Sequence, residues 1–174
     1  MFERFTKPAR EAVRAAVGRA QAEGSPVVRA DHVLVAIAAA DGEGARVLRS
    51  AGWQGDAERL GARFAATHRR GGLSTADLEA LRAVGIDAEA MLQRLAGDAA
   101  VAPPAKRRHH VPFTAEAKKA LEESMKAAIA RGERRLGEGH LLLGLLATPG
   151  IVVDELAAEG VTREKVGLAM RKAG

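Results

Sequence analysis

Phe5-Thr6-Lys7-Pro8-Ala9-Arg10-Glu11-Ala12-Val13 returns, in altered form, as Phe113-Thr114-Ala115-Glu116-Ala117-Lys118-Lys119-Ala120-Leu121. The offset from Phe5 to Phe113 is 108 residues. At the same offset Asp31-His32-Val33-Leu34-Val35-Ala36-Ile37 meets Gly139-His140-Leu141-Leu142-Leu143-Gly144-Leu145. Gly42 then meets Gly150, Leu48 meets Leu156, Gly52 meets Gly160 and Leu60 meets Leu168. Two unrelated Ala-rich helices would not stay in phase through the intervening turns. A single offset held across separate segments marks an internal duplication.

Each copy reads as four helices. In the first, Thr6 supplies an N-cap oxygen and Pro8 falls in the first turn, where a missing N–H costs nothing. Ala9, Ala12, Val13, Ala16, Val17 and Ala20 recur at helical spacing on one stripe. Gly24-Ser25-Pro26 closes that helix. Asp31 to Ala40 is apolar on nearly all sides, which predicts a central, buried helix. Glu43 to Ala51 follows, with Gly52 as its C-cap, and Asp56 to His68 completes the set. The second copy repeats the plan. Thr114 caps a helix with Ala117, Leu121, Met125 and Ala128 on one face. His140 to Ala147 is the buried helix, Ile151 to Glu159 the third, and Thr162 caps the last.

A third piece lies between the copies. Ser74-Thr75-Ala76-Asp77 starts a helix that runs to Val84 and stops at Gly85. Gly85-Ile86-Asp87-Ala88-Glu89-Ala90-Met91 echoes Gly160-Val161-Thr162-Arg163-Glu164-Lys165-Val166, so the insert resembles another third-plus-fourth helix pair. Residues 97–112, with Pro103-Pro104 and Lys106-Arg107-Arg108-His109-His110, read as a linker. The expected organisation is a first repeat at 1–70, an inserted pair and linker at 71–112, and a second repeat at 113–174. All would belong to one compact all-α domain.

Composition agrees with that class. Hydrophobic residues make up 47% of the chain and aromatics only 3%, with no Tyr, a mixture that favours helix over strand. No cysteine occurs. That excludes disulfides, zinc-thiolate sites and a Cys nucleophile, and fits a reducing, cytoplasmic setting. The start, Met1-Phe2-Glu3-Arg4, has no apolar signal core. The longest apolar run, Leu141 to Ala147, is too short to span a bilayer. No Gly-x-x-x-x-Gly-Lys-Ser/Thr phosphate loop is present, and no catalytic triad or paired-carboxylate site assembles. The expectation is therefore no enzyme activity and no cofactor.

The opening Met1-Phe2-Glu3-Arg4-Phe5-Thr6, the later Val111-Pro112-Phe113-Thr114-Ala115-Glu116-Ala117-Lys118-Lys119, and Gly139-His140-Leu141-Leu142-Leu143-Gly144-Leu145 resemble the Clp N-terminal (Clp repeat) domain. That domain precedes the ATPase rings of ClpC- and ClpA-type chaperones. The resemblance covers about residues 1–69 and 110–174, and the insert at about 71–96 departs from the short linker of most family members. It implies a pseudo-two-fold bundle of eight helices, here with an inserted pair, that recruits substrates and adaptors. Because the chain ends where the linker to the first ATPase ring would begin, it also implies a free-standing module or a fragment. The implied partners are a Clp ATPase, its adaptors or substrate proteins, and cyclic-peptide antibiotics.

The resemblance places a peptide and adaptor surface at the two matching helix starts: Phe2, Arg10, Val13, His110, Phe113, Lys118 and Glu122. Aromatics and a valine would make its floor and charged residues its rim. The competing reading of Phe5 and Phe113 is that they staple their helices to the core. The resemblance also assigns a phosphoarginine anchor to Asp31, at the start of the first central helix, where the plain alternative is a carboxylate favoured by the helix dipole. Gly139 stands at the equivalent place, with Glu138 beside it, so the second anchor should be weakened or lost. His32 and His140 are equivalent, and each is expected to bond a neighbouring loop rather than a metal. The alternative function is a basic nucleic-acid-associated regulator. It rests on the net charge of +5 and on Lys106-Arg107-Arg108, without the stacking platform or zinc spacing that nucleic-acid modules carry.

Overall fold

The structure, a computed structural model, describes residues 2–73, 75–88, 90–91, 93–94 and 111–173. After a short 3-10 turn at Phe2–Arg4, the first copy contains α1 (Lys7–Ala22), α2 (Ala30–Ala39), α3 (Glu43–Ser50) and α4 (Ala57–Arg69). The insert contributes α5 (Thr75–Ala83), and Ala88, Ala90 and Met91 beyond it are also helical. The second copy contains α6 (Ala115–Ala130), α7 (Glu138–Ala147), α8 (Ile151–Ala158) and α9 (Arg163–Ala173). No strand forms among the described residues; the only extended pairings there are two isolated bridges.

Matching sequence produces matching local geometry. Thr6 and Thr114 are N-caps with φ/ψ of −62°/161° and −63°/161°. Their hydroxyls accept from Ala9 N at 3.3 Å and Ala117 N at 3.1 Å. Gly52 and Gly160, at φ 108° and 73°, end equivalent helices in the left-handed region, where a side chain would strain the backbone. Thr162 caps α9 through its hydroxyl, as the sequence predicts.

The core is built on α2 and α7. Every residue from Ala30 to Ala38 and from Glu138 to Leu146 is buried. A helix apolar all round must be wrapped by others, and here each is wrapped by both copies. α1 and α4 pack on α2, and α6 and α9 pack on α7. Across the divide, α1 and α3 reach α7, while α6 and α8 reach α2. Gly144 lets α7 sit close on α6: a side chain there would fall 2.6 Å from the Ser124 backbone nitrogen. Burying Leu34, Ile37, Leu141 and Leu142 completely stabilises the bundle by roughly 2 kcal/mol per side chain.

The copies are also stitched by exchange. Phe5 bridges Leu136 and Phe113 bridges Val28; Leu136 and Val28 are themselves equivalent at the 108-residue offset. The bonds correspond one for one. Thr6 N donates to Leu136 O at 2.9 Å and Leu136 N to Arg4 O at 2.8 Å. Thr114 N donates to Val28 O at 2.9 Å and Val28 N to Pro112 O at 2.8 Å. Such reciprocity, in which i meets j and j meets i, is what a two-fold relation between like units produces.

Candidate functional site

The two helix entries share their cap geometry, and their aromatics pack toward the core as the staple reading expects. Phe5 is 2% exposed and belongs to the core, while Phe113 is half-buried and packs against it. Arg10 is half-buried, and its Nη1 donates to the Phe5 carbonyl at 3.0 Å. Lys118 and Glu122, four apart on α6, are exposed on one face. Val13 differs from expectation: it is 5% exposed and packs in the core, because the α1 stripe that carries it faces α2. It would have to be uncovered to touch a ligand. Phe2 lies in the opening turn. His110 and the run Lys106-Arg107-Arg108 lie outside the described residues.

Asp31 sits in the first turn of α2, 3% exposed, inside a charged cluster. The Arg29 guanidinium grips it side-on, Nε to Oδ1 at 3.1 Å and Nη2 to Oδ2 at 3.3 Å. His68 Nε2, from the end of α4, lies 3.2 Å from Oδ2. Glu116, half-buried in the first turn of α6, is held above the usual carboxylate range by burial and then by the nearby charge of Asp31, with His68 acting in the opposite sense. A carboxylate so placed accepts a planar guanidinium with good geometry. The one it holds here is the chain's own. Arg29 and His68 are therefore site residues that sequence reading missed. Arg29 was legible as a neighbour of Asp31, whereas His68 lies 37 residues away and has no counterpart signal.

At the equivalent position the second copy is closed. A side chain on Gly139 would meet the Met170 thioether, with Sδ 2.9 Å from where Cβ would lie. Glu138 does not replace the missing acid. It is 2% exposed and turned inward, where its Oε2 accepts from Gly44 N at 2.8 Å. It thus caps α3, whose own N-cap is the side-chain-free Gly42.

His32 and His140 do what their positions predict. Nδ1 of His32 accepts from Arg29 N at 3.0 Å, and Nδ1 of His140 from Gly137 N at 3.1 Å. Each ring therefore closes the loop ahead of its buried helix. Burial is the largest influence on both and pulls their pKa values below the ordinary imidazole value. Among the described residues no group of three or more His, Asp or Glu side chains converges to hold a metal ion. Nor is any single helix there long and apolar enough to cross a membrane.

A family model described as the Clp repeat N-terminal domain matches residues 73–159, half of the chain. The chain belongs to the Clp N-terminal domain family. The match takes in the insert, which the sequence reading set apart from both repeats, and runs through α6, α7 and α8. Several solved structures have the same fold. The N-terminal domain of the caseinolytic protease associated chaperone ClpD from Arabidopsis thaliana aligns with a TM-score of 0.55 at 17% identity, covering 100% of this chain and 97% of that one. A chain from a malarial protein secretion system gives 0.55 and 17%, over 97% and 94%. The Hsp104 N-terminal domain from Candida albicans gives 0.55 and 14%, over 95% and 87%. Clp N-terminal domains are non-catalytic modules that bind the substrates and adaptors of Clp chaperones.

Proposed function

We propose that this Clp N-domain recruits or sequesters substrates, adaptors or cyclic-peptide ligands of a Clp protease system at the paired entries of α1 and α6. The observation that carries this reading is the reciprocal pairing of Phe5 with Leu136 and Phe113 with Val28. It fixes two alike helix starts on one rigid framework, with Arg10, Lys118 and Glu122 keeping solvent access. Rigid placement reduces the ordering cost of binding, and the half-buried Phe113 with a charged rim suits a polypeptide partner. Phe2 and His110 complete the proposed surface. Delivery to an ATPase and decoy binding use the same contacts; association with the ATPase ring separates them.

Calorimetric titration with adaptors of a Clp ATPase tests the proposal. Phe113→Ala should weaken binding about tenfold or more. Lys118→Glu and Glu122→Lys, at exposed positions that leave the core alone, should weaken it less. Binding unchanged by all three, or no binding of any adaptor, substrate or cyclic peptide to the natural chain, refutes it.

Within that function Asp31 is the proposed phosphoarginine anchor, supported by its grip on the Arg29 guanidinium. An incoming phosphoarginine must displace Arg29, and Met170 covers the second position. A phosphoarginine peptide should therefore titrate to one site, lost in Asp31→Asn. Two equal sites contradict this.

A further inference from the structure

The duplication creates two equivalent seams between third and fourth helices of opposite copies, and the chain treats them oppositely. In the seam of α8 with α4, Arg63 pairs with both Glu155, at 3.3 Å, and Glu159. That seam has its cation paired from within. In the seam of α3 with α9, the two helices pack together and leave a groove of about 510 Å³. Arg46, Lys165 and Lys172 line it, along with Leu168, and it contains no carboxylate among its lining residues. Arg46, Lys165 and Lys172 are exposed. Lys165 gives one hydrogen to the Gly160 carbonyl at 2.7 Å and has two more to offer. Leu168 stands 44% exposed between these cations.

We infer that the α3–α9 groove is a docking site for an acidic polypeptide segment carrying an apolar side chain, separate from the α1–α6 surface. Charge complementarity names the occupant: the groove is lined by three cations and no carboxylate, since Val47 and Ala51 stand where the other seam has Glu155 and Glu159, and a partner's Glu or Asp residues supply the anions. Leu168, with the buried Ala51 and Ala169 beside it, gives a partner's apolar residue an apolar contact. That apolar contact favours a peptide over a nucleic acid, which needs an extended run of phosphate contacts.

Fluorescence anisotropy with a short fluorescein-labelled Glu/Leu peptide tests the inference on the full chain. The peptide should bind saturably, more weakly as salt rises. Arg46→Glu together with Lys172→Glu should weaken it about tenfold or more, and Leu168→Ser by a smaller factor. Arg59→Glu, exposed on α4 and outside both surfaces, should leave it unchanged, and the Arg46→Glu/Lys172→Glu variant should keep its adaptor binding at the α1–α6 surface, so failure here is distinguishable from failure of the proposed function. Circular dichroism melts confirm that the exposed replacements still fold. A peptide that binds all variants alike overturns the inference. So does a labelled DNA duplex that competes more strongly than the acidic peptide.

Discussion

Helices α2 and α7 occupy equivalent places in the two copies and carry their acids one residue apart. Asp31 is the second residue of α2, whereas Glu138 is the first of α7. One residue turns a helix side chain by about 100°. Asp31 accordingly points to Arg29 and His68, while Glu138 points to the start of α3. The same frame thus holds a charged cluster at one site and a buried cap at the other, with Met170 over the vacated Gly139. The backbone plan survives duplication through caps, glycines and the apolar stripe. The acidic groups at the starts of these helices are placed residue by residue and do not follow the repeat.

That contrast can be broken at several points. The largest effect is expected at Gly144. Gly144→Ala pushes a methyl into the α6 backbone and should cost about 3 kcal/mol or prevent folding. Ala36→Gly, at the equivalent position of α2, should cost only about 1 kcal/mol. Equal costs in denaturant titrations would mean that the two helix pairs pack alike. Next, Glu138→Ala strips the buried Gly44 N–H of its acceptor and should cost about 2 kcal/mol by the same measurement. Thr6→Ala and Thr114→Ala come third. Each should cost about 1 kcal/mol, and the two should agree within about 0.5 kcal/mol, because their cap geometries coincide.

The pH response is smaller and shared by both copies. His32 and His140 have pKa values lowered from 6.5 by burial. The unfolded chain therefore binds protons first on acidification. Stability should be full above 6.5 and decline as pH falls from there toward the folded values. In His32→Asn/His140→Asn, which keeps an acceptor near each Nδ1, the slope across that window should shrink. An unaltered slope would locate the response elsewhere. Glu116, raised from 4.5, works in the opposite sense: the folded chain holds its proton more tightly there.

Local signals made most of the fold readable. Thr6 and Thr114, Gly52 and Gly160, and the apolar runs at 33–37 and 141–146 act through neighbours within a turn or two. Their geometry is therefore written where the residues are. The single offset added the tertiary relation between the copies. The site was less legible. Val13 lies on the apolar stripe of α1, whose spacing marks it for the core, and only the family resemblance placed it on a surface. His68 reaches Asp31 only because α4 returns along α2. The loss of the acid at Gly139 was legible, whereas the use of Glu138 as a cap for α3 was not, because Gly44 lies 94 residues away. The α3–α9 groove escaped notice because Arg46, Lys165 and Lys172 are scattered among acids in sequence and gathered only by packing between copies.

The most direct test of the central claim is an amide NMR titration of the chain with an adaptor of a Clp ATPase. A grip built from both helix entries predicts saturable shifts clustered at residues 5–14 and 111–122 together, at one stoichiometry. Saturable binding whose shifts are confined to one copy, or fall on the insert alone, would contradict it.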